Sequence, residues 1–200
     1  MIAMMILWGC AAWAGVFEEG KAAYNVGDFE IAHQKLTSAA AQGNAEAQTL
    51  LGDMFSEGSE SLIGKGRMKI DHDEALRWYK MAAAQGHLRA LFNLCIGARY
   101  ILFGNNFLEV RWCQLGAEKG DAKAQNVLGE IYEGGVNVLQ NYAEAMKWYG
   151  MAAAQGDDSA QRNRGDMYAN GHGVTKNFVL AHMWYNLSTI KEWRITLPRN

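Results

Sequence analysis

The chain has 200 residues, half of them hydrophobic and a fifth charged, with a formal net charge of −2. That is the composition of an ordinary globular chain rather than a disordered or fibrous one, and without any long run of Lys or Arg it gives nucleic acid little electrostatic attraction. Twenty-two glycines stand against a single proline, Pro198, so glycine must make the breaks between elements.

Met1 to Ala14 (MIAMMILWGCAAWA) carry no charged side chain. The run is shorter than the ~20 residues that a membrane-spanning helix needs, so no membrane span is expected. Ala12-Trp13-Ala14 fits the small-x-small rule for signal peptidase, with cleavage before Gly15. Residues 1–14 therefore read as a signal peptide, although no basic segment precedes the apolar run, and the mature product as periplasmic or secreted. Leu7-Trp8-Gly9-Cys10 offers a lipoprotein alternative with an anchor at Cys10. A third reading is an N-terminal helix buried in the fold.

Phe17–Val26 and Phe29–Gln42 read as a short helical hairpin turned at Gly27-Asp28. The next helix, Asn44–Glu57, has apolar positions three and four apart at Ala47, Leu50, Leu51 and Met54. A long turn, Gly58 to Ile70 (GSESLIGKGRMKI), leads to a helix over Asp71–Gln85. Further pairs follow over His87–Phe103 and Asn106–Lys119, Asp121–Glu133 and Asn141–Gln155, and Asp157–Asn170 and Asn177–Thr189. Asn44, Asp121 and Asp157 supply N-caps.

These pairs repeat. Ala-Ala-Ala-Gln-Gly closes at Gly43, Gly86 and Gly156, with a divergent copy at Gly120, giving spacings of 43, 34 and 36 residues. Trp78, Trp112 and Trp148 stand eight residues before a closing Gly, and Trp184 heads a last incomplete copy. Three residues before each Trp come Ala75, Glu109, Ala145 and Ala181. Nine residues after each closing Gly come Gly52, Cys95, Gly129 and Gly165. A mid-helix Gly costs ~1 kcal/mol relative to Ala. Its recurrence is expected to allow close helix–helix approach, with Ala75, Ala145 and Ala181 opposite. Trp78, Trp148 and Trp184, followed by Tyr79, Tyr149 and Tyr185, are expected to be core. A hairpin of this kind buries its apolar face only by stacking on its neighbours.

The phrases Ala47-Gln48-x-x-Leu51-Gly52-Asp53-Met54-Phe55-x-x-Gly58, Gly129-x-x-Tyr132-x-x-Gly135 and Ala143-Glu144-Ala145-x-x-Trp148-Tyr149-x-x-Ala152-Ala153-x-x-Gly156 resemble the Sel-one-like repeat family, a cousin of the tetratricopeptide repeats. The likeness runs from about Phe17 to Leu187. It implies an all-α, right-handed superhelical solenoid of about five stacked helix-turn-helix repeats over 15–190, with a tail at 191–200. It also implies an adaptor that binds a protein or peptide on a concave face lined by first helices. Transferred position by position, the tetratricopeptide pattern gives groove candidates Glu46, Thr49 and Asp53, then Arg89, Phe92, Ile96 and Arg99. Lys123, Asn126 and Glu130, then Arg162 and Asp166, complete them. The third hairpin is the richest, because Arg and aromatic residues are enriched at interaction hot spots.

Two departures fall in that hairpin: Cys95 replaces the recurrent Gly, and Cys113 replaces the Tyr that follows Trp. In an oxidising compartment they could form a disulfide; the alternative is two buried thiols. Catalytic signals are thin. Gly64-Lys65-Gly66 has the wrong spacing for a phosphate loop, with Gly where Ser or Thr should bind magnesium. Ser188-Thr189-Ile190-Lys191 matches Ser-x-x-Lys without its companion motifs. Asp71-His72-Asp73-Glu74 suits a helix N-terminus. His33, His72, His87, His172 and His182 fall on separate units without metal-ligand spacing. The expectation is a non-catalytic scaffold without metal or cofactor. The competing reading is a β-lactamase or cell-wall hydrolase built on the same repeats.

Overall fold

The structure, a computed structural model, describes residues 15–57, 59–60, 67–99 and 110–189. The leader reading for 1–14, the tail at 191–200 and Gly64-Lys65-Gly66 lie outside the described residues. The chain divides into two compact units, Met1–Asn105 and Asn106–Asn200.

In the first unit α1 covers residues 15–25, followed by α2 (Phe29–Ala41), α3 (Ala45–Glu57), α4 (His72–Ala84) and α5 (Leu88–Arg99). A two-residue antiparallel ladder, β1 (Ser59–Glu60) with β2 (Arg67–Met68), lies in the long turn between α3 and α4. The second unit holds α6 (Val110–Glu118), α7 (Ala122–Gly134), α8 (Tyr142–Ala154), α9 (Asp158–Asn170) and α10 (Phe178–Thr189). Consecutive helices within each unit pack on one another. The fold is an all-α helical repeat.

The boundaries follow from local chemistry. Asn44, Asp121 and Asp157 each accept the backbone N–H three residues on, from Ala47, Ala124 and Ala160. Asp28 and Asp71 do the same for α2 and α4. Gly43 and Gly86 end their helices with φ of 90° and 80°, a left-handed conformation that strains any residue with a Cβ.

Two devices recur at fixed places. Gln48 Nε2 donates to Ala40 O at 3.0 Å, Gln125 Nε2 to Ala117 O at 3.0 Å and Gln161 Nε2 to Ala153 O at 3.4 Å. In α3, α7 and α9 a buried amide thus gives a second donor to a carbonyl at the end of the preceding helix, which also accepts the N–H of the closing Gly43, Gly120 or Gly156 in place of the missing helical partner. The turns also close alike. Asp71 N donates to Phe55 O at 2.9 Å, Asn141 N to Tyr132 O at 2.8 Å and Asn177 N to Tyr168 O at 2.8 Å. The two ends of the long turn thus meet as the ends of the shorter turns do.

The expected pairing of the recurrent Gly with Ala75, Ala145 and Ala181 needs correction. The rings of Tyr79, Tyr149 and Tyr185 lie on Gly52, Gly129 and Gly165, and a Cβ added to any of these glycines would overlap the ring. The residue after each Trp therefore fills the space left by the absent side chain. The three alanines are buried without being what the glycines admit.

Candidate functional site

A dense polar cluster lies in the first unit, around Asp53 of α3. This carboxylate is almost fully buried, at 3% exposure. Tyr79 Oη of α4 donates to its Oδ1 at 2.8 Å, and Asn93 Nδ2 of α5 donates to the same atom at 2.7 Å. Arg89 Nη2, also of α5, stands 2.7 Å from Oδ2. That contact is an ion pair with poor hydrogen-bond geometry. Ser56 Oγ lies 3.1 Å from Tyr79 Oη. Burial pushes the Asp53 carboxyl above its ordinary range, while the Arg89 charge and the Tyr79 hydrogen bond pull it partly back. Burial, and then the Asp53 charge, push the Tyr79 phenol well up. Tyr24 of α1 is raised in the same way, by burial first.

Arg89 links this buried cluster to the surface, its side chain 56% exposed. It lines a half-open pocket of about 440 Å³ together with Glu46, Thr49, Leu50, Gly86, His87 and Leu88. Glu46 Oε1 is paired with Lys21 Nζ of α1 at 2.7 Å. Thr49 is buried, and its Oγ1 contacts Ala45 O and His87 Nδ1, both at 2.8 Å. Burial holds His87 below the usual imidazole range, Glu46 raises it somewhat and Arg89 lowers it further. His87 occupies the position that Asn44, Asp121 and Asp157 fill as helix caps, and it turns instead to α3.

The structure thus brings Glu46, Thr49, Asp53 and Arg89 together but gives them unequal roles. Thr49 and Asp53 are buried; they support the surface rather than present side chains to a partner. Phe92 and Ile96 are half-buried in α5. Arg99 is the last residue of α5, and its side chain lies outside the described set.

The second unit repeats parts of this arrangement. Asn126 is buried, its Nδ2 donating to Glu130 Oε1 at 3.1 Å and its Oδ1 accepting from Asn163 of α9 at 2.9 Å. Lys123 and Arg162 are exposed. Asp166 Oδ1 accepts from Tyr185 Oη at 2.7 Å, as Asp53 does from Tyr79. Tyr149 instead donates to Glu133 Oε2 at 2.7 Å. The hydrogen bond to Asp166, followed by burial, pushes Tyr185 up to about 12. A raised phenol pKa means that stability from the protonated hydroxyl is complete below the unfolded value of about 10 and is lost as pH rises through the folded value. In a spectrophotometric titration, Tyr185→Phe should remove one phenol ionising near 12, and Asp166→Asn should bring that ionisation down toward about 10. An unchanged titration in both variants would contradict the contact.

Cys95 and Cys113 are fully buried and each is disulfide-bonded. Ser188 spends its hydroxyl on Tyr185 O at 2.7 Å. Among the described residues no group of three His, Cys, Asp or Glu is placed to hold a metal ion, and no helix is long and apolar enough to cross a membrane. Sequence reasoning missed Tyr79, His87 and Asn93 as members of the cluster. Asn93 and Asn163 both stand two residues before the recurrent Gly position, at Cys95 and Gly165, and both bond back to the preceding first helix. That shared position is a signal the sequence contains.

The Sel1 repeat model matches residues 45–87, 122–157 and 158–189. The uncharacterized protein NMB1327 of Neisseria meningitidis serogroup B is 33% identical over 119 residues, which are 60% of this chain and 23% of that protein. Among solved structures, c5321, a protective antigen of uropathogenic Escherichia coli with an SLR fold, matches with a TM-score of 0.70 and 32% identity. The match covers 78% of this chain and 32% of that one. A Sel1 repeat protein from Oxalobacter formigenes matches with a TM-score of 0.70 and 30% identity, covering 80% and 62%. The chain therefore spans less than two thirds of the length of each of these relatives. Sel1 repeats are typically modules of protein–protein interaction. The matched stretches cover more than half of the residues, and the chain belongs to the Sel1 repeat family.

Proposed function

We propose that this protein is a non-catalytic scaffold that binds a protein or peptide partner on the surface formed by α1, α3 and α5 of the first unit, and that it works outside the cytoplasm, in the cell envelope. The observation that carries the binding reading is the half-exposed Arg89 guanidinium, fixed against the buried Asp53 beside a pocket walled by Leu50 and Leu88. A pre-oriented Arg beside apolar surface is the kind of anchor on which binding energy concentrates. Export is supported by the uncharged run at 1–14 with its Ala12-Trp13-Ala14 site, and by the disulfide-bonded state of Cys95 and Cys113, since such bonds persist in oxidising compartments.

A crosslinking pull-down from envelope extracts tests the scaffold. Leu88→Glu changes a 41% exposed pocket residue. Arg89→Lys keeps the positive charge near Asp53 but removes the planar fork. Each should reduce capture of the partner at least about tenfold, equivalent to about 1.4 kcal/mol, with the helical circular dichroism unchanged. Capture unaffected by both would remove this surface as the binding site. Turnover of a chromogenic β-lactam or of peptidoglycan fragments that falls with Leu88→Glu would overturn the non-catalytic reading. N-terminal sequencing of the mature protein checks cleavage before Gly15.

A further inference from the structure

The charges around the pocket are already spent. Arg89 is paired with Asp53, and Glu46 with Lys21, each at 2.7 Å. The remaining ionisable wall is His87, and its protonation can be worked out. Thr49 has one hydroxyl proton, and Ala45 O lies 2.8 Å from Oγ1 in the donor direction. In the second 2.8 Å contact the hydroxyl oxygen is therefore the acceptor, and His87 Nδ1 carries the proton. Burial disfavours the doubly protonated ring. The neutral tautomer leaves Nε2 as an acceptor. Arg89 keeps further N–H donors, and Glu46 keeps Oε2. Between these polar groups Leu50, Leu88 and Gly86 form the apolar wall.

Resting on the proposed binding role, we infer that the pocket takes an uncharged, extended peptide segment carrying one aliphatic side chain, rather than an acidic residue or a free C-terminal carboxylate. The side chain packs on Leu50 and Leu88. A backbone carbonyl accepts from Arg89, and a backbone N–H donates to Glu46 Oε2 or His87 Nε2. Among the described residues no lining charge lacks a counter-charge. A ligand carboxylate would have to share Arg89 with Asp53 while losing its own hydration, which is unfavourable without a free cation to receive it. A neutral segment meets both donor and acceptor needs and buries apolar surface against Leu50 and Leu88. The volume falls at the lower end of the 300–1,000 Å³ typical of ligand pockets, which suits one side chain with its flanking backbone.

The test uses the full chain and N-acetylated, C-amidated synthetic heptapeptides of Ser and Thr with a central Leu, Asp or Lys. A fourth probe has the central Leu and a free C-terminal carboxylate. Binding is followed by NMR shifts of the Gly86 amide and the Leu50 and Leu88 methyl groups. The blocked Leu peptide should shift all three. The Asp and Lys peptides should bind at least about tenfold more weakly, and freeing the carboxylate should change affinity by less than about twofold. Tighter binding of the Asp peptide or of the free carboxylate overturns the inference, as does the absence of shifts at Gly86, Leu50 and Leu88 with the Leu peptide. The capture assay separates this from the broader reading. Capture lost in Leu88→Glu while the Leu peptide fails to bind leaves the scaffold standing and removes the pocket chemistry. Leu-peptide binding with capture unchanged supports the pocket chemistry and removes the scaffold.

Discussion

Replacing Gly129 by alanine should destabilise the second unit by a net 1–2 kcal/mol or so, although alanine is the better helix former by about 1 kcal/mol. The new methyl group would overlap the edge of the Tyr149 ring, 2.5 and 2.6 Å from two of its atoms. That ring has no room to retreat. Tyr149 is fully buried and its hydroxyl is held by Glu133 at 2.7 Å. Overpacking of this kind typically costs about 1–3 kcal/mol, enough to exceed the propensity gain. Gly165→Ala is the internal comparison. Tyr185 meets Gly165 in the same way but is only half-buried, so its ring can shift and the loss should be smaller. Urea unfolding of both variants gives the ordering. Stabilisation by alanine at 129, or an equal loss at 165, would show that the Tyr–Gly contact is not what holds these hairpins.

Asp53→Ala should lower the stability of the first unit by about 2–4 kcal/mol, a large share of the 5–15 kcal/mol typical of a domain. The variant removes the acceptor of Tyr79 and Asn93 and the counter-charge of Arg89 at one stroke. Arg89 is half exposed and regains water, which keeps the loss below that of a fully buried pair. Asp53→Asn retains an oxygen for Tyr79 and should fall between the two. Because burial raises the Asp53 pKa, the folded state holds its proton to higher pH than the unfolded chain does. Its contribution is then complete below the unfolded value of about 3.9 and diminishes as pH rises through the folded value. The advantage of the wild-type chain over Asp53→Asn should therefore be larger near pH 3 than near pH 7. Tyr24, Glu57, Tyr79 and Arg89 face the same carboxylate and contribute to its titration. An advantage that instead grows toward pH 7 would mean that Arg89 outweighs burial.

The hairpins were legible because the chain is its own comparison. Closing glycines, caps and Trp positions recur in one order, and Asn44, Asp121 and Asp157 cap the helices they precede. What the second helix sets against the recurrent Gly was not legible. Spacing places Ala and Tyr of the second helix on neighbouring faces, and only the packing angle decides that the Tyr ring reaches the glycine. The groove pattern named Glu46, Thr49, Asp53 and Arg89, which the structure brings near one another, but it treated all four as surface. Exposure depends on the neighbouring helix: Asn93 and Tyr79 close over Asp53, and His87 closes over Thr49. Unlike the other first-helix starts, His87 is neither Asn nor Asp, a departure that the sequence contains but that by itself says nothing of the pocket His87 lines.

The turn between α3 and α4 has a consequence for how the chain can be modified. Its ends are joined by the Asp71–Phe55 backbone bond, as Asn141–Tyr132 and Asn177–Tyr168 join the ends of turns seven residues shorter. Lengthening a loop whose ends are already fixed adds only about 0.6 kcal/mol for each doubling. Peptide tags, epitopes or whole inserted domains should therefore be tolerated between those two anchors, with the repeat on either side unaware of what has been spliced in.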